Sequence, residues 1–236
     1  MADSVGTIRL TIRPLLVFQF LVAVAATILA ASLAGRLLYV SGYLQSFDFT
    51  INELLNVDAE ANPPTWFAAM QLFAAGLLAL SLAELRNDTQ RWGWYLVAGT
   101  LTLMSLDEVS SLHEELGRPL RDALGTSGIF YFAWVLVAIP FVITMAVVLR
   151  RLLSSLAKQE RRLFFAASGL YFCGAIGGEM VSGIVADDQE SVGYVFITHV
   201  EEGLEYLGVA MLIYALGTII VGSKHQARMD PVRQIV

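Results

Sequence analysis

The chain lacks most of what a soluble or disulfide-stapled domain needs. Only 15% of its residues are charged, against about 25% in a typical soluble domain. It has one cysteine, Cys173, which excludes an intrachain disulfide and any cysteine-based metal motif. That thiol is expected to pack as a small buried hydrophobe. No Gly-rich phosphate loop, nucleophile–His–acid triad, internal repeat or low-complexity tract can be found. What fills the chain instead is apolar: 56% of residues are hydrophobic and the mean hydropathy is +0.64. These residues fall in blocks. Six stretches, at about 15–40, 65–84, 93–113, 129–149, 163–186 and 203–222, are each long enough to cross a bilayer as a helix. The expectation is an all-α polytopic membrane protein, one six-helix domain over residues 1–236, embedded in the lipid bilayer.

The net charge of −6 does not describe an acidic surface, because the charges separate by segment. Arg9 and Arg13 precede the first span, and Arg86 and Arg91 lie between the second and third. Arg150, Arg151, Lys158, Arg161 and Arg162 lie between the fourth and fifth, and Lys224, Arg228 and Arg233 follow the sixth. Twelve of the fifteen basic residues thus sit in alternate connections. The positive-inside rule then places both termini in the cytoplasm, and the expected location is a bacterial inner membrane. The first span has an Arg-bearing start and "AASLA" near its end, as a signal peptide would. Its apolar run is too long for such a segment, so a retained helix is expected. The basic connection 150–162 is explained by topology and anionic headgroups; nucleic-acid binding is not expected.

Residues 41–64 form the longest outer connection, acidic and without a basic residue, with "FTINELLNV" readable as a short interfacial helix. "NPPTWF" reads as a turn into the second span, with Pro64 in the first helical turn. Trp66, Trp92 and Trp94 are placed as interfacial aromatics and Trp134 deeper. Pro140 predicts a kink or widened turn in the fourth span. The glycines of "GLYFCGAIGGEMVSGIVA" are expected to let helices approach closely, but they leave Glu179 unexplained.

Carboxylates gather on one side. "SLDEVSSLHEELG" ends the third span, Glu179 lies about two turns from the outer end of the fifth, "THVEEGLEYLG" begins the sixth, and Glu60 precedes the second. At 100° per residue, Asp107, Ser111 and Glu114 share a stripe, as do His199, Glu202 and Tyr206, with Glu205 one turn on. Glu108 lies on a neighbouring stripe and His113 on a flank. Glu115, Glu201 and the acids at 187–190 are expected to be solvated. An intramembrane carboxylate is costly unless paired or functional, and a bound cation would let several coexist. Asp107, Glu108, His113, Glu114, Glu179, His199, Glu202, Glu205 and Glu60 are therefore the candidate ligands of a divalent ion (Fe, Mn, Zn or Ca). Carboxylate-rich sets of this kind build dinuclear centres in four-helix bundles, although Glu-x-x-His is absent here and the sixth span carries the reverse, His199-x-x-Glu202.

"EANPPTWF", "SLDEVSSLHE", "GGEMVSG" and "VEEGLEYLG" resemble a family of bacterial multi-pass membrane proteins of unknown function. The resemblance spans the second to sixth helices. It implies Glu60, Asp107, Glu108, His113, Glu114, Glu179, Glu202 and Glu205 as that family's acidic set, and it brings no activity. A comparison with ceramidase-like membrane hydrolases fails: Ser110 and His113 are too close together and no His-x-x-x-His pair is present. Three functions remain open: a metal-binding protein or metal-dependent enzyme acting near the outer leaflet, a cation- or proton-coupled transporter, and an accessory subunit docked to a membrane-protein partner. Oligomer formation is compatible with each.

Overall fold

The computed structural model describes residues 13–43, 53–86 and 88–229, with side chains as far as residue 223. The expectations for Arg9, Lys224, Arg228 and Arg233, and for residues 49–52 of the interfacial helix, lie outside the described residues or side chains. Among the described residues all regular structure is helical. Helix α1 runs Pro14–Val40, α2 Pro63–Glu84, α3 Arg91–Ser110, α4 Leu112–Leu124, α5 Val135–Val148 and α6 Arg150–Ser155. Helix α7 runs Lys158–Ser182 and α8 Val192–Met229.

Four of these, α1, α2, α7 and the Val192–Ser223 part of α8, are long and apolar enough to cross a membrane. The two other expected spans look different. The third is covered by α3, whose 20 residues include Asp107 and Glu108. The fourth holds a short apolar helix of 14 residues, α5, with Pro140 inside it.

Helix α8 is the axis of the bundle. At 1.5 Å per residue its 38 residues reach about 57 Å, well beyond a hydrocarbon layer of about 30 Å. Helices α1, α2 and α7 all pack on it. Helices α2 and α3 form the most extensive pair. Their closeness follows from the small residues Ala75, Ala79 and Ala83, all fully buried, and from Gly76, where an added Cβ would stand 3.0 Å from Thr102 Oγ1. Ser105 Oγ also donates across this interface to the Ala69 carbonyl at 2.8 Å. Trp94 is fully buried in the core with Leu82 and Leu152, whereas Trp66 and Trp92 are exposed. The expected interfacial place of Trp94 is thus corrected: its side chain points along the inward face of α3.

Cys173 also departs from expectation, being exposed rather than buried. It opens a π-helical segment, Cys173–Gly178, inside α7. A widened turn thus occurs in α7, and Pro140 lies inside α5.

Candidate metal centre

Asp107 lies in the last turn of α3 with its side chain folded forward over a break. Ser111 takes a left-handed backbone (φ 51°) and its N–H donates to the Asp107 carbonyl at 2.7 Å. The Asp107 carboxylate then accepts twice from one residue: the His113 N–H at 2.9 Å and His113 Nδ1 at 2.9 Å. A straight helix to residue 113 is therefore corrected to two helices hinged at Ser111. The hinge turns His113 from the flank into the site and fixes its ring by one nitrogen. Trp134 packs against that ring with centroids 4.9 Å apart, beside buried Gly117.

The second wall is the loop before α2. Asn62 caps that helix, its Oδ1 accepting from the Thr65 N–H at 3.0 Å, while its amide donates to the Asn56 carbonyl at 2.6 Å and the Glu53 carbonyl at 3.1 Å. Pro63 and Pro64 occupy the first turn, where no amide hydrogen is missed. Residue 57 is tied to α1 and α8 through Ser32, whose hydroxyl accepts from the Val57 N–H at 3.1 Å and lies 3.0 Å from His199 Nε2. The other His199 nitrogen donates to the Val195 carbonyl at 2.6 Å. Both ring nitrogens are thus occupied, and His199 holds the loop in place from outside the cavity. It is not brought together with the other candidate ligands.

The third wall is α7 against α8. An added Cβ at Gly178 would stand 2.6 Å from Glu201 Cγ, and one at Gly174 would stand 2.7 Å from Glu205 Cγ. The glycines are the slots into which these two glutamates fit. Glu201, expected to be solvated, is buried for this reason. Glu115 is exposed and pairs with Arg118 at 2.9 Å, as a helix-end acid would.

These walls enclose a cavity of ≈ 380 Å³. Nine carboxylates line it, from Asp58, Glu60, Asp107, Glu108, Glu114, Glu179, Glu201, Glu202 and Glu205, with His113, Arg118 and Arg121 as the cationic groups. Eight of the nine candidate ligands therefore share one cavity, and Asp58 and Glu201 join them. Asp58 was hidden by its place in a loop, where helical phase gives no direction. Its partner is the Tyr194 hydroxyl, at 3.3 Å. Although Asp58 opens onto the cavity, the surrounding protein desolvates its carboxyl and raises it to about 7, against the lowering effects of Tyr194 and Arg36. Glu60 is raised for the same first reason, burial, opposed by His113 and reinforced by Glu114 and Asp107.

One ligand atom from each of Glu60, His113 and Glu114 lies within 4.8 Å of the other two. With Nδ1 held by Asp107, Nε2 is the nitrogen His113 has to offer. A carboxylate on the far nitrogen is the usual way a metal-binding imidazole is oriented. Glu114 shares one oxygen with Arg118 at 3.1 Å and keeps another. Among the described residues, Glu60 Oε2, Glu179 Oε2 and Glu201 Oε2 are buried without a hydrogen-bond partner. Buried, uncompensated carboxylate oxygens call for protons or a cation, and the donor set of oxygens with one imidazole fits a divalent ion.

A sequence model of one protein family matches residues 20–218. The chain belongs to the domain of unknown function family DUF8692. The DUF8692 match covers every wall of the cavity, from Ser32 to Glu205. No curated protein and no solved structure matches the chain.

Proposed function

We propose that this DUF8692 protein is an integral membrane metalloprotein that holds a divalent ion through Glu60, His113 and Glu114. Asp107 orients the histidine. The observation that carries this reading is the convergence of those three side chains together with the double hydrogen bond from His113 to Asp107. Glu108, Glu179, Glu202 and Glu205 lie in the same cavity and are the ligand set for a second ion, which makes the site dinuclear when full. The oxygen-rich donor set favours Mn or Fe, accepts Ca, and suits Zn less well. A bound ion would neutralise carboxylates and acidify a coordinated water.

In this reading α3 and the segment holding α5 complete six membrane crossings, as hydropathy and the alternation of basic connections suggest. Both termini are cytoplasmic, and the cavity opens at the outer face of a bacterial inner membrane. Metal analysis of the purified protein tests the site, with Glu60→Ala/Glu114→Ala as control. The expected result is at least one equivalent of a divalent ion in the parent and its loss in the double variant. A parent without metal above background, after growth with supplemented Mn and Fe, sinks the reading.

A second reading, cation- or proton-coupled transport, is favoured by the unpartnered oxygens of Glu179 and Glu201, since buried acids commonly relay protons. Proton or divalent-ion flux into proteoliposomes separates it from a static site. An accessory subunit docked through loop 41–64 is expected to co-purify with its membrane partner, and isolation as a metal-loaded single species argues against it.

A further inference from the structure

A second cavity, of ≈ 480 Å³, lies beside the acidic one and is apolar. Its walls include Leu72, Phe141, Met145, Phe165 and Leu212, from α2, α5, α7 and α8. Tyr171 is the residue common to both linings, so the carboxylate chamber and the apolar one meet at it. Glu205, Glu108 and Glu202 are its acidic neighbours. Its position is fixed from behind, because an added Cβ at Gly208 would stand 2.6 Å from the Tyr171 backbone nitrogen. The opposite wall is loose: Val135 is the only buried residue of α5. That helix is apolar and largely exposed, so in the proposed six-span arrangement this side of the apolar cavity faces hydrocarbon. A volume of this size lies in the range of small-molecule sites.

We infer that the two cavities form one binding site for a long-chain amphiphile with an uncharged polar head, the hydrocarbon chain lying in the apolar cavity and the head meeting the carboxylates at Tyr171. The inference names the ligand class of the acidic cavity, and to that extent rests on its being a functional site. An anionic head is disfavoured there in the ion-free cavity, since nine acidic side chains already compete for one imidazole and two guanidinium groups. An uncharged head can donate a hydrogen bond to a carboxylate, or place an oxygen on an ion held there.

The single cysteine supplies the probe, because Cys173 is exposed and lines the apolar cavity. The full chain in phosphatidylcholine nanodiscs is alkylated with N-ethylmaleimide in the presence of 1-hexadecanol, 1-butanol or hexadecanoate. The inference expects hexadecanol to slow alkylation saturably, by about tenfold or more, while butanol gives no protection and hexadecanoate far less. Gly169 lines the same cavity and an added Cβ there meets nothing within 4 Å. Gly169→Leu therefore adds bulk at the cavity wall from a Cβ that has room, and is expected to abolish the protection. Absence of protection, protection that rises without saturating, equal protection by hexadecanoate, or full protection in a monodisperse Gly169→Leu protein would each overturn the inference. If that variant fails to fold, the chain-length comparison in the parent decides alone. Metal content of the same samples keeps the two readings apart: saturable protection in a metal-free parent supports this inference and sinks the metal site.

Discussion

Asp107 and His113 make one unit at the residue scale. The carboxylate fixes the ring by accepting from Nδ1 and fixes the backbone by accepting from the His113 N–H. Asp107→Asn keeps the shape but no longer presents a charged acceptor to the imidazole, and metal affinity is expected to fall about 10–100-fold, as read by competition with a chelating dye. Asp58 carries a pH signature. Its carboxyl is raised from 3.8 to about 7 in the folded protein, so the folded state binds the proton more tightly than the unfolded chain. Stability attributable to this group is therefore greatest below about pH 4 and is lost as pH rises from about 4 to about 7. Because the side chain opens onto the cavity, the slope is shallower than the shift alone implies. Asp58→Asn, in chelator-treated protein, is expected to flatten the fall of Tm across that range. An unchanged slope would show that other cavity acids carry it.

Among the elements, the glycines of α7 and α8 divide sharply. Gly208 presses on the Tyr171 backbone, while Gly169 faces open space. Gly208→Ala is expected to destabilise by about 1–3 kcal/mol through overpacking. Gly169→Ala is expected to be neutral or to stabilise by up to about 1 kcal/mol through helix propensity. Thermal unfolding in one detergent compares the pair, and equal effects would contradict the packing described. The sequence showed small residues in this segment but not their partners. Periodicity says which residues share a helix face, whereas the slots at Gly174 and Gly178 are defined by glutamates from another helix. For the same reason Glu201 reads as solvated until its neighbour is known. The break at Ser111 was hidden more deeply, since a left-handed serine has no strong local signal. The turn before α2 was readable, because Asn62, Pro63 and Pro64 are cap and first-turn residues by chemistry.

For the whole molecule, helix class and membrane character were legible because apolar blocks of about 20 residues match the length of a helix crossing a bilayer. That acids from several helices gather was legible from span order and helical phase together. Which acids converge was not, because loop direction and the hinge at Ser111 decide it, and they bring in Asp58 and turn His113 inward while His199 stays outside, bonded to Ser32 and Val195. The resulting claim, one imidazole and a set of carboxylates around an ion, is tested most directly by X-ray absorption spectroscopy of the metal-loaded protein. The account predicts a shell of oxygen ligands with a single imidazole and no sulfur, and it predicts that His113→Ala removes the imidazole signal while His199→Ala leaves it. An imidazole signal that persists in His113→Ala, or a sulfur ligand from Cys173, would contradict it.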